Sequence, residues 1–234
     1  MAGRGSVGYT HPTYEFYGSP SFGPRREGAL PDMVVLHYTG METAEDALER
    51  LCDPAHEVSA HYLIAGTGHI WQMVEEDQRA WHAGAGEWGG VCDVNSRSIG
   101  IELANCGDHP FAEPQMAALE ELLQGIMLRW RVPPERVIAH SDMAIGRKID
   151  PGPKFDWRRL ALAGLSVWPE PGKPGDFMAD AMRFGYARDN ADLILAAFRL
   201  RFRPGFTGVE DDIDRSIIHD LAKRFPVDAG GLSA

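Results

Sequence analysis

The sequence predicts an α/β protein in which a mixed central sheet is covered by helices, followed by a small three-helix domain. Three observations predict this fold class. Short β-branched apolar runs indicate buried strands, and amphipathic segments between those runs indicate helices. A stretch rich in proline and glycine then separates this alternating region from one with helical patterns alone. Alternating strands and helices are typical of a sheet whose faces are covered by helices.

The first 32 residues are rich in Gly, Pro, Ser and aromatic residues and show no periodicity. We interpret them as an extended arm that lies over the first domain and is anchored by its aromatic side chains. The stretch MAGRGSVGYTHPTYEF has no basic start followed by an apolar segment, so it predicts no secretory signal.

Strands are predicted at the apolar runs. MVVLHY (33–38) is a β-branched run that indicates a buried strand, and HYLIAGTGHIWQMV (61–74) indicates two short strands joined by a turn at Gly66-Thr67-Gly68. SIGIEL (98–103) and RVIAH (136–140) are further strand candidates.

Helices are predicted between the strands. Thr43, followed by Glu45 and Asp46, is a typical N-cap for a helix that reaches about Leu51. A longer helix is predicted over 113–131, because one face of it is apolar at helical spacing. That face consists of Met116, Leu119, Leu122, Leu123, Ile126, Met127 and Trp130.

The stretch WPEPGKPG (168–175) has the composition of a linker. From composition alone we therefore predict a first domain over 1–168 that includes the arm, a linker over 169–175, and a three-helix domain over 176–228. Its helices are expected at about 176–186, 191–203 and 210–225. A module of this size is near the lower limit for independent folding, so a helical cap that merely stabilises the first domain is the alternative.

The composition excludes some classes of protein. The net charge of −11 argues against nucleic acid as a partner, because phosphate binding needs clustered Lys and Arg. No apolar stretch is long enough to span a bilayer. The three cysteines, Cys52, Cys92 and Cys106, form no C-x-x-C spacing, so we expect reduced thiols of a cytoplasmic protein.

Five polar residues fall where a binding cleft is expected. His37, Glu102 and His140 each end a predicted strand, and the carboxyl ends of strands line the ligand crevice in open α/β sheets. Lys148 and Asp150 are two residues apart in a following loop, so their side chains point the same way if the loop is extended. Each residue also has a structural alternative: hydrogen-bonded histidines, an ion-paired Glu102, a solvated Lys148 and a turn carboxylate at Asp150.

Together His37, His140 and Asp150 form the two-histidine, one-carboxylate set of an open catalytic zinc site. In such a site Glu102 would move a proton between water and a leaving amine, and Lys148 would stabilise an oxyanion. Nine histidines allow many chance triples, so spacing alone leaves this set a hypothesis.

Five motifs together resemble the zinc-dependent N-acetylmuramoyl-L-alanine amidases, which share a fold with peptidoglycan recognition proteins. The resemblance covers about residues 20–165 in order. The motifs are VVLHYTGM (34–41), VSAHYLI (58–64), AWHAG (80–84), NSRSIGIELAN (95–105) and IAHSDMAIGRKIDPG (138–152).

The resemblance implies roles for particular residues. Zinc ligands of the family correspond to His37, His140 and Asp150, the catalytic base to Glu102, and the residue that stabilises the transition state to Lys148. Other motif residues are interpreted as contacts to the sugar or stem peptide, with structural roles as the alternative. These are His61, Trp81, His82, Arg97 and Asn105. LILAAFRLRFRP (193–204) resembles the three-helix peptidoglycan-binding domain often appended to such amidases.

The implied activity is hydrolysis of the amide between N-acetylmuramic acid and L-alanine of the stem peptide. The absence of a signal and the reduced cysteines favour a cytoplasmic recycling enzyme acting on 1,6-anhydro-muropeptides. A periplasmic location would follow if an export signal is missing from the chain as given. The alternatives are an exported amidase acting on intact peptidoglycan and a non-catalytic protein that binds muropeptides.

Overall fold

The computed structural model describes residues 14–227, which form a six-stranded mixed sheet, a two-stranded sheet and eight α-helices. The strands are β1 (Glu15–Phe16), β2 (Phe22–Pro24), β3 (Met33–Tyr38), β4 (Tyr62–Ile64), β5 (Ile70–Gln72), β6 (Gln78–Ala80), β7 (Ser98–Leu103) and β8 (Val137–Ala139). The helices are α1 (Ala44–Cys52), α2 (Val94–Arg97), α3 (Glu113–Trp130), α4 (His140–Met143), α5 (Trp157–Leu162), α6 (Phe177–Phe184), α7 (Ala191–Phe202) and α8 (Asp212–Arg224). Short 3-10 helices occupy Arg26–Gly28, Pro54–His56 and Pro134–Arg136. The predicted fold class is confirmed.

The main sheet has the strand order β1-β5-β4-β7-β3-β8. Strand β3 pairs in parallel with both β7 and β8, and β4 pairs in parallel with β7 and antiparallel with β5. The register places His37 of β3 directly opposite Glu102 of β7. Because β3, β7 and β8 are parallel, their carboxyl ends meet at one edge, where the sequence predicts the cleft.

One face of the sheet is covered by α3 and α5. Val34 and Leu36 of β3 point to this face and pack against a cluster of fully buried apolar side chains. The predicted apolar face of α3 supplies Met116, Leu119, Leu122, Leu123 and Ile126 to that cluster, with Met127 and Trp130 partly buried at its margin. The helix-period pattern therefore predicted this layer correctly.

The opposite face is covered in two parts. Helix α1 packs over Leu63 and Trp71 of β4 and β5, and its N-cap Thr43 accepts a hydrogen bond from the Asp46 N–H, as predicted. The other part is covered by α6, α7 and α8, which share one apolar cluster with Met33 and Val35 of β3.

The segment 169–176 contains neither helix nor strand, as the linker composition predicts. Residues before and after it nevertheless belong to the same hydrophobic cluster. Helix α7 also reaches the first region through Arg201, whose side chain is fully buried and donates a 2.7 Å hydrogen bond to Asp142 of α4. The division into two domains stays a prediction, and the three C-terminal helices cover one sheet face.

The described part of the N-terminal arm, from residue 14 onward, contributes β1 and β2. Its described aromatic side chains are only partly buried: Tyr14, Phe16, Tyr17 and Phe22 are between 44% and 59% exposed, and Tyr14 packs edge to face against the buried Tyr62. Polar side chains also hold the arm. Arg25 is buried and donates hydrogen bonds to the carbonyls of Ser96, Ser98 and Glu76, and Ser19 and Ser21 are buried as well. In the described part of the arm, buried polar side chains therefore contribute more of the contacts to the domain than the aromatic rings do. Residues 1–13 of the predicted arm lie outside the described range.

Within the described range, none of the helices combines the length and the apolar character needed to cross a bilayer.

Candidate metal centre and cleft

Three side chains converge at the carboxyl edge of the sheet. His37 lies near the end of β3, His140 is the first residue of α4, and Asp150 lies in the loop that follows α4. The Nδ1 atoms of the two histidines are 2.9 Å apart, and each lies 3.0 Å from Oδ2 of Asp150. All three residues are buried. The three donor atoms therefore form a nearly equilateral triangle inside the protein.

This triangle has the dimensions of a metal site. Donors held at zinc distances with tetrahedral angles lie about 3.3 Å from one another, close to the separations seen here. The Nε2 atom of His140 donates a 2.9 Å hydrogen bond to the Ala83 carbonyl, which leaves Nδ1 as the lone-pair atom. Two lone-pair nitrogens and a carboxylate oxygen this close together repel one another unless a cation or a proton lies between them. The donor set can hold a metal ion.

The charge states suit metal binding. Burial and the neighbouring His140 lower the pKa of His37 to about 4, so its imidazole is neutral at physiological pH. Asp150 is the anionic member of the set, and a cation bound between the three donors would favour its ionised form. A neutral imidazole and an ionised carboxylate are the forms that ligate metals.

Glu102 lies beside this triangle with a free carboxylate oxygen. Its Oε2 atom is shielded from solvent and has no hydrogen-bond partner within the described residues. Burial, reinforced by the negative charge of Asp150, raises the pKa of Glu102 to about 8, and Lys148 acts in the opposite direction. A bound cation would lower this pKa as well. A carboxyl group poised near neutral pH is suited to accept and return a proton.

A cavity of about 540 Å³ opens over these residues. Helix α1 forms one wall with Ala47, Arg50 and Leu51, and the loop after α4 contributes Arg147 and Lys148. Three cationic side chains thus line the cavity of a chain whose net charge is −11. This concentration of positive charge favours an anionic ligand.

The residues predicted to contact substrate separate into two groups. Trp81 and His82 line the cavity, whereas His61, Arg97 and Asn105 do not. His61 is fully buried, with Nδ1 accepting from the Gly100 N–H and Nε2 near the Gln78 carbonyl.

Arg97 and Asn105 have partners elsewhere. The Arg97 guanidinium pairs with Asp32, and the buried Asn105 side chain accepts a 2.6 Å hydrogen bond from the Gly107 N–H. The positions of His61, Arg97 and Asn105 outside the cavity lining do not support substrate contact.

Sequence reasoning missed two cationic residues of the cavity. Arg50 projects from the predicted helix α1, where its pattern is that of a solvated residue, and Arg147 precedes Lys148 in the loop. Arg147 donates a 2.8 Å hydrogen bond to the Ala83 carbonyl and another to the Ala85 carbonyl. Nothing in the spacing of the sequence marks Arg50, because its position depends on how α1 packs on the sheet.

Comparison with known proteins agrees with this geometry. Residues 27–153 match the N-acetylmuramoyl-L-alanine amidase family, a range that includes His37, Glu102, His140, Lys148 and Asp150. The chain is 33% identical over 235 residues to N-acetylmuramoyl-L-alanine amidase AmiD of Escherichia coli K12, with 84% of each chain covered. It is 34% identical over 159 residues to 1,6-anhydro-N-acetylmuramyl-L-alanine amidase AmpD of Haemophilus influenzae, which covers 60% of this chain and 86% of AmpD.

A solved structure of AmiD has a similar fold. The complex of E. coli AmiD with anhydro-N-acetylmuramic acid-L-Ala-D-gamma-Glu-L-Lys has a TM-score of 0.76 and 32% identity, covering 89% of this chain and 93% of that one. A match of this length covers more of the chain than residues 1–168 alone, so the similarity to AmiD includes part of the C-terminal helical region.

Proposed function

Because the chain belongs to the N-acetylmuramoyl-L-alanine amidase family, we propose that it hydrolyses the amide between the lactyl group of 1,6-anhydro-N-acetylmuramic acid and L-alanine of the stem peptide. The chain is an amidase, and its relatives support the substrate: AmpD is named for the 1,6-anhydro form, and AmiD is seen with an anhydro-muropeptide. The observation that carries the proposal is the triangle of His37, His140 and Asp150 beside the unpartnered oxygen of Glu102.

The metal in this proposal is zinc. Two imidazole nitrogens and one carboxylate oxygen are the ligand types that open catalytic zinc sites use. When bound, zinc lowers the pKa of water and polarises a carbonyl oxygen. His37, His140 and Asp150 would hold it, and their burial excludes competing solvent on the protein side of the site.

Glu102 and Lys148 perform the proton transfer and the charge stabilisation. Glu102 accepts a proton from the attacking water and passes it to the departing amine of L-alanine, for which its unpartnered Oε2 atom is available. Lys148 lines the same cavity, and its ammonium stabilises negative charge that develops on the lactyl carbonyl oxygen.

The cavity also suits the charge of the substrate. A stem peptide carries free carboxylates, and Arg50 of α1 and Lys148 of the loop after α4 both line the cavity. Trp81 adds an aromatic surface on which a sugar ring or peptide can pack. We propose these residues as the substrate contacts.

The setting we propose is cytoplasmic recycling of muropeptides. The free cysteines support this setting. Cys52, Cys92 and Cys106 form no disulfide, and the exposed thiols of Cys92 and Cys106 fit a reducing compartment. An exported enzyme acting on intact peptidoglycan and a non-catalytic muropeptide-binding protein are the competing functions. A pure binder would not need the Glu102 and Lys148 pair beside a metal site.

The C-terminal helices are proposed as a structural cover of the sheet. They share an apolar cluster with β3, and a fully buried ion pair links α7 to α4. Binding of glycan by this region, which its resemblance to peptidoglycan-binding domains implies, is the alternative.

Mass spectrometry of purified 1,6-anhydro-muropeptide tests the proposal. After incubation with the zinc-loaded protein, we expect free stem peptide beginning with L-alanine and free 1,6-anhydro-N-acetylmuramic acid, and neither in a chelated sample. Cleavage of intact sacculi without cleavage of the soluble muropeptide would favour the exported enzyme. Binding of muropeptide without cleavage of either substrate would favour the recognition protein.

A further inference from the structure

The imidazole of His82 lies between the ligand His37 and strand β7, in direct contact with both. We infer that His82 is a positioning residue that fixes the His37 ring as a metal ligand, rather than a residue that contacts substrate. The inference rests on the proposed metal site, because it assigns to His82 the role of holding one ligand of that site in place.

A backbone carbonyl sets the direction of the hydrogen bonds. The Val94 carbonyl can only accept, so the Ser98 hydroxyl donates its proton to it, at 2.6 Å. Ser98 Oγ must then accept from Nε2 of His82, at 3.2 Å. His82 is consequently protonated on Nε2 and has its lone pair on Nδ1.

The same reasoning determines the tautomer of the ligand His37. His82 Nδ1 accepts from Nε2 of His37, at 3.0 Å, so His37 carries its proton on Nε2. Its lone pair is therefore on Nδ1, the atom that faces His140 and Asp150. The chain from Val94 through Ser98 and His82 selects the tautomer of His37 that binds a cation.

Strand β7 is shaped to accept the His82 ring. Ser98, Gly100 and Glu102 alternate along β7 and point to the same face. A Cβ atom at Gly100 would lie 2.4 Å from Cγ of His82, so only glycine leaves room for the ring. The middle position of this strand thus accommodates His82, while its two neighbours supply the hydroxyl and the proposed base.

The backbone of His82 is fixed as well. The Asn95 side chain accepts hydrogen bonds from the N–H groups of His82 and Ala83, at 3.1 Å and 2.9 Å. The carbonyl of Ala83 in turn accepts from Nε2 of His140. Two adjacent residues of one loop therefore orient both histidine ligands, His37 through a side chain and His140 through a carbonyl.

These contacts leave His82 no nitrogen for a substrate. Its Nδ1 is used by His37 and its Nε2 by Ser98. Its ring edge lines the cavity, but without a free polar atom it offers only an apolar surface. Both ring nitrogens of His82 therefore take part in the hydrogen-bond chain that orients His37.

Zinc affinity, measured by competition with a fluorescent chelator, tests the inference. His82→Phe keeps a ring over Gly100 but removes both hydrogen bonds, and we expect zinc to bind about 10- to 100-fold more weakly. His82→Asn, whose amide oxygen can accept near the position of Nδ1, should recover part of this loss. Ser98→Ala should weaken zinc binding less than His82→Phe, because His82 keeps its bond to His37.

Trp81→Phe is the matched control, because Trp81 lines the same cavity and has no hydrogen bond to either histidine ligand. It should change KM and leave zinc affinity as in the wild type. If His82→Phe binds zinc as tightly as the wild type and raises only KM, His82 contacts substrate and the inference is wrong. If His82→Phe does not fold, unchanged zinc affinity in both His82→Asn and Ser98→Ala overturns it. A wild-type protein that binds no zinc would instead refute the proposed metal site, and this inference with it.

Discussion

The two faces of the six-stranded sheet are built by the same strands but are covered in different ways. On one face, Val34 and Leu36 pack under α3 and α5 in a layer of apolar side chains. On the other face, Met33 and Val35 pack under the C-terminal helices, and the next residue in the alternation is His37. We call these the α3 face and the site face.

The site face includes buried charge. Asp142 of α4 is fully buried and accepts hydrogen bonds from Arg201 and from the Tyr186 hydroxyl, at 2.7 Å and 2.8 Å. Arg201 also lies over the Trp157 ring, with its guanidinium carbon 4.2 Å from the ring centroid. Because Asp142 is two residues from His140, this ion pair connects the C-terminal helices to the metal site. The α3 face therefore contributes stability, whereas the site face contributes both stability and the positions of the ligands.

The largest effect on turnover is expected from replacing Glu102, the proposed base on the site face. Glu102→Gln keeps the shape of the side chain but removes its basicity, so turnover should fall about 10²- to 10⁴-fold. Zinc content and thermal stability should remain near those of the wild type. Kinetics of stem-peptide release together with metal analysis measure this, and near-wild-type turnover would remove Glu102 from the role of base.

Arg201→Met tests the connection from the C-terminal helices. The substitution leaves the Asp142 carboxylate buried without its cation, which should lower the free energy of unfolding by about 3 to 5 kcal/mol. Zinc affinity of the folded protein should fall too, since Asp142 and His140 share α4. Denaturant unfolding and chelator competition report the two effects. Loss of stability with unchanged zinc affinity would show that the ion pair is structural alone.

Leu119→Ala is the matched test of the α3 face. Leu119 is fully buried, and its truncation should lower the free energy of unfolding by about 2 to 5 kcal/mol. Because Leu119 packs in the apolar cluster under α3 and its side chain makes no hydrogen bond to a ligand, zinc affinity and KM should stay as in the wild type. A drop in zinc affinity similar to that of Arg201→Met would break the distinction between the faces.

Tyr186→Phe should have the smallest effect. It removes one hydrogen bond to Asp142 while Arg201 still neutralises the carboxylate, so we expect a loss of about 1 to 3 kcal/mol in the free energy of unfolding. Thermal unfolding of the zinc-loaded protein measures it. A loss larger than that of Arg201→Met would mean that the hydroxyl, and not the guanidinium, is the main partner of Asp142.

The α3 face was predictable from the sequence because periodicity encodes it. The apolar positions of 113–131 recur at helical spacing, and a helix with one apolar stripe packs that stripe against another apolar surface of the protein. The strands of the sheet centre were predictable for a related reason: a strand buried on both faces is a continuous apolar run, as in 33–38. The very short strands β1, β2 and β6 carry no such pattern, because they form only by pairing with distant segments.

The site face was only partly predictable. Positions of His37, Glu102 and His140 at strand ends, together with the motif resemblance, indicated the cleft, and the structure brings them together with Asp150. The supports of the site were not indicated. Arg201 is in a helix whose charged residues the sequence pattern assigns to solvent, and His82 reaches His37 only because Gly100, in a distant strand, leaves space for its ring.

Titration of the metal-free enzyme with zinc tests whether His37, His140 and Asp150 form the metal centre. The protein is freed of metal with a chelator, and hydrolysis of 1,6-anhydro-muropeptide is followed as zinc is added back. We expect no hydrolysis by the stripped protein, a rise to a plateau at one zinc per chain, and no such plateau for Asp150→Ala. Full hydrolysis by the stripped protein, or an Asp150→Ala variant that titrates like the wild type, would contradict a metal centre built from His37, His140 and Asp150.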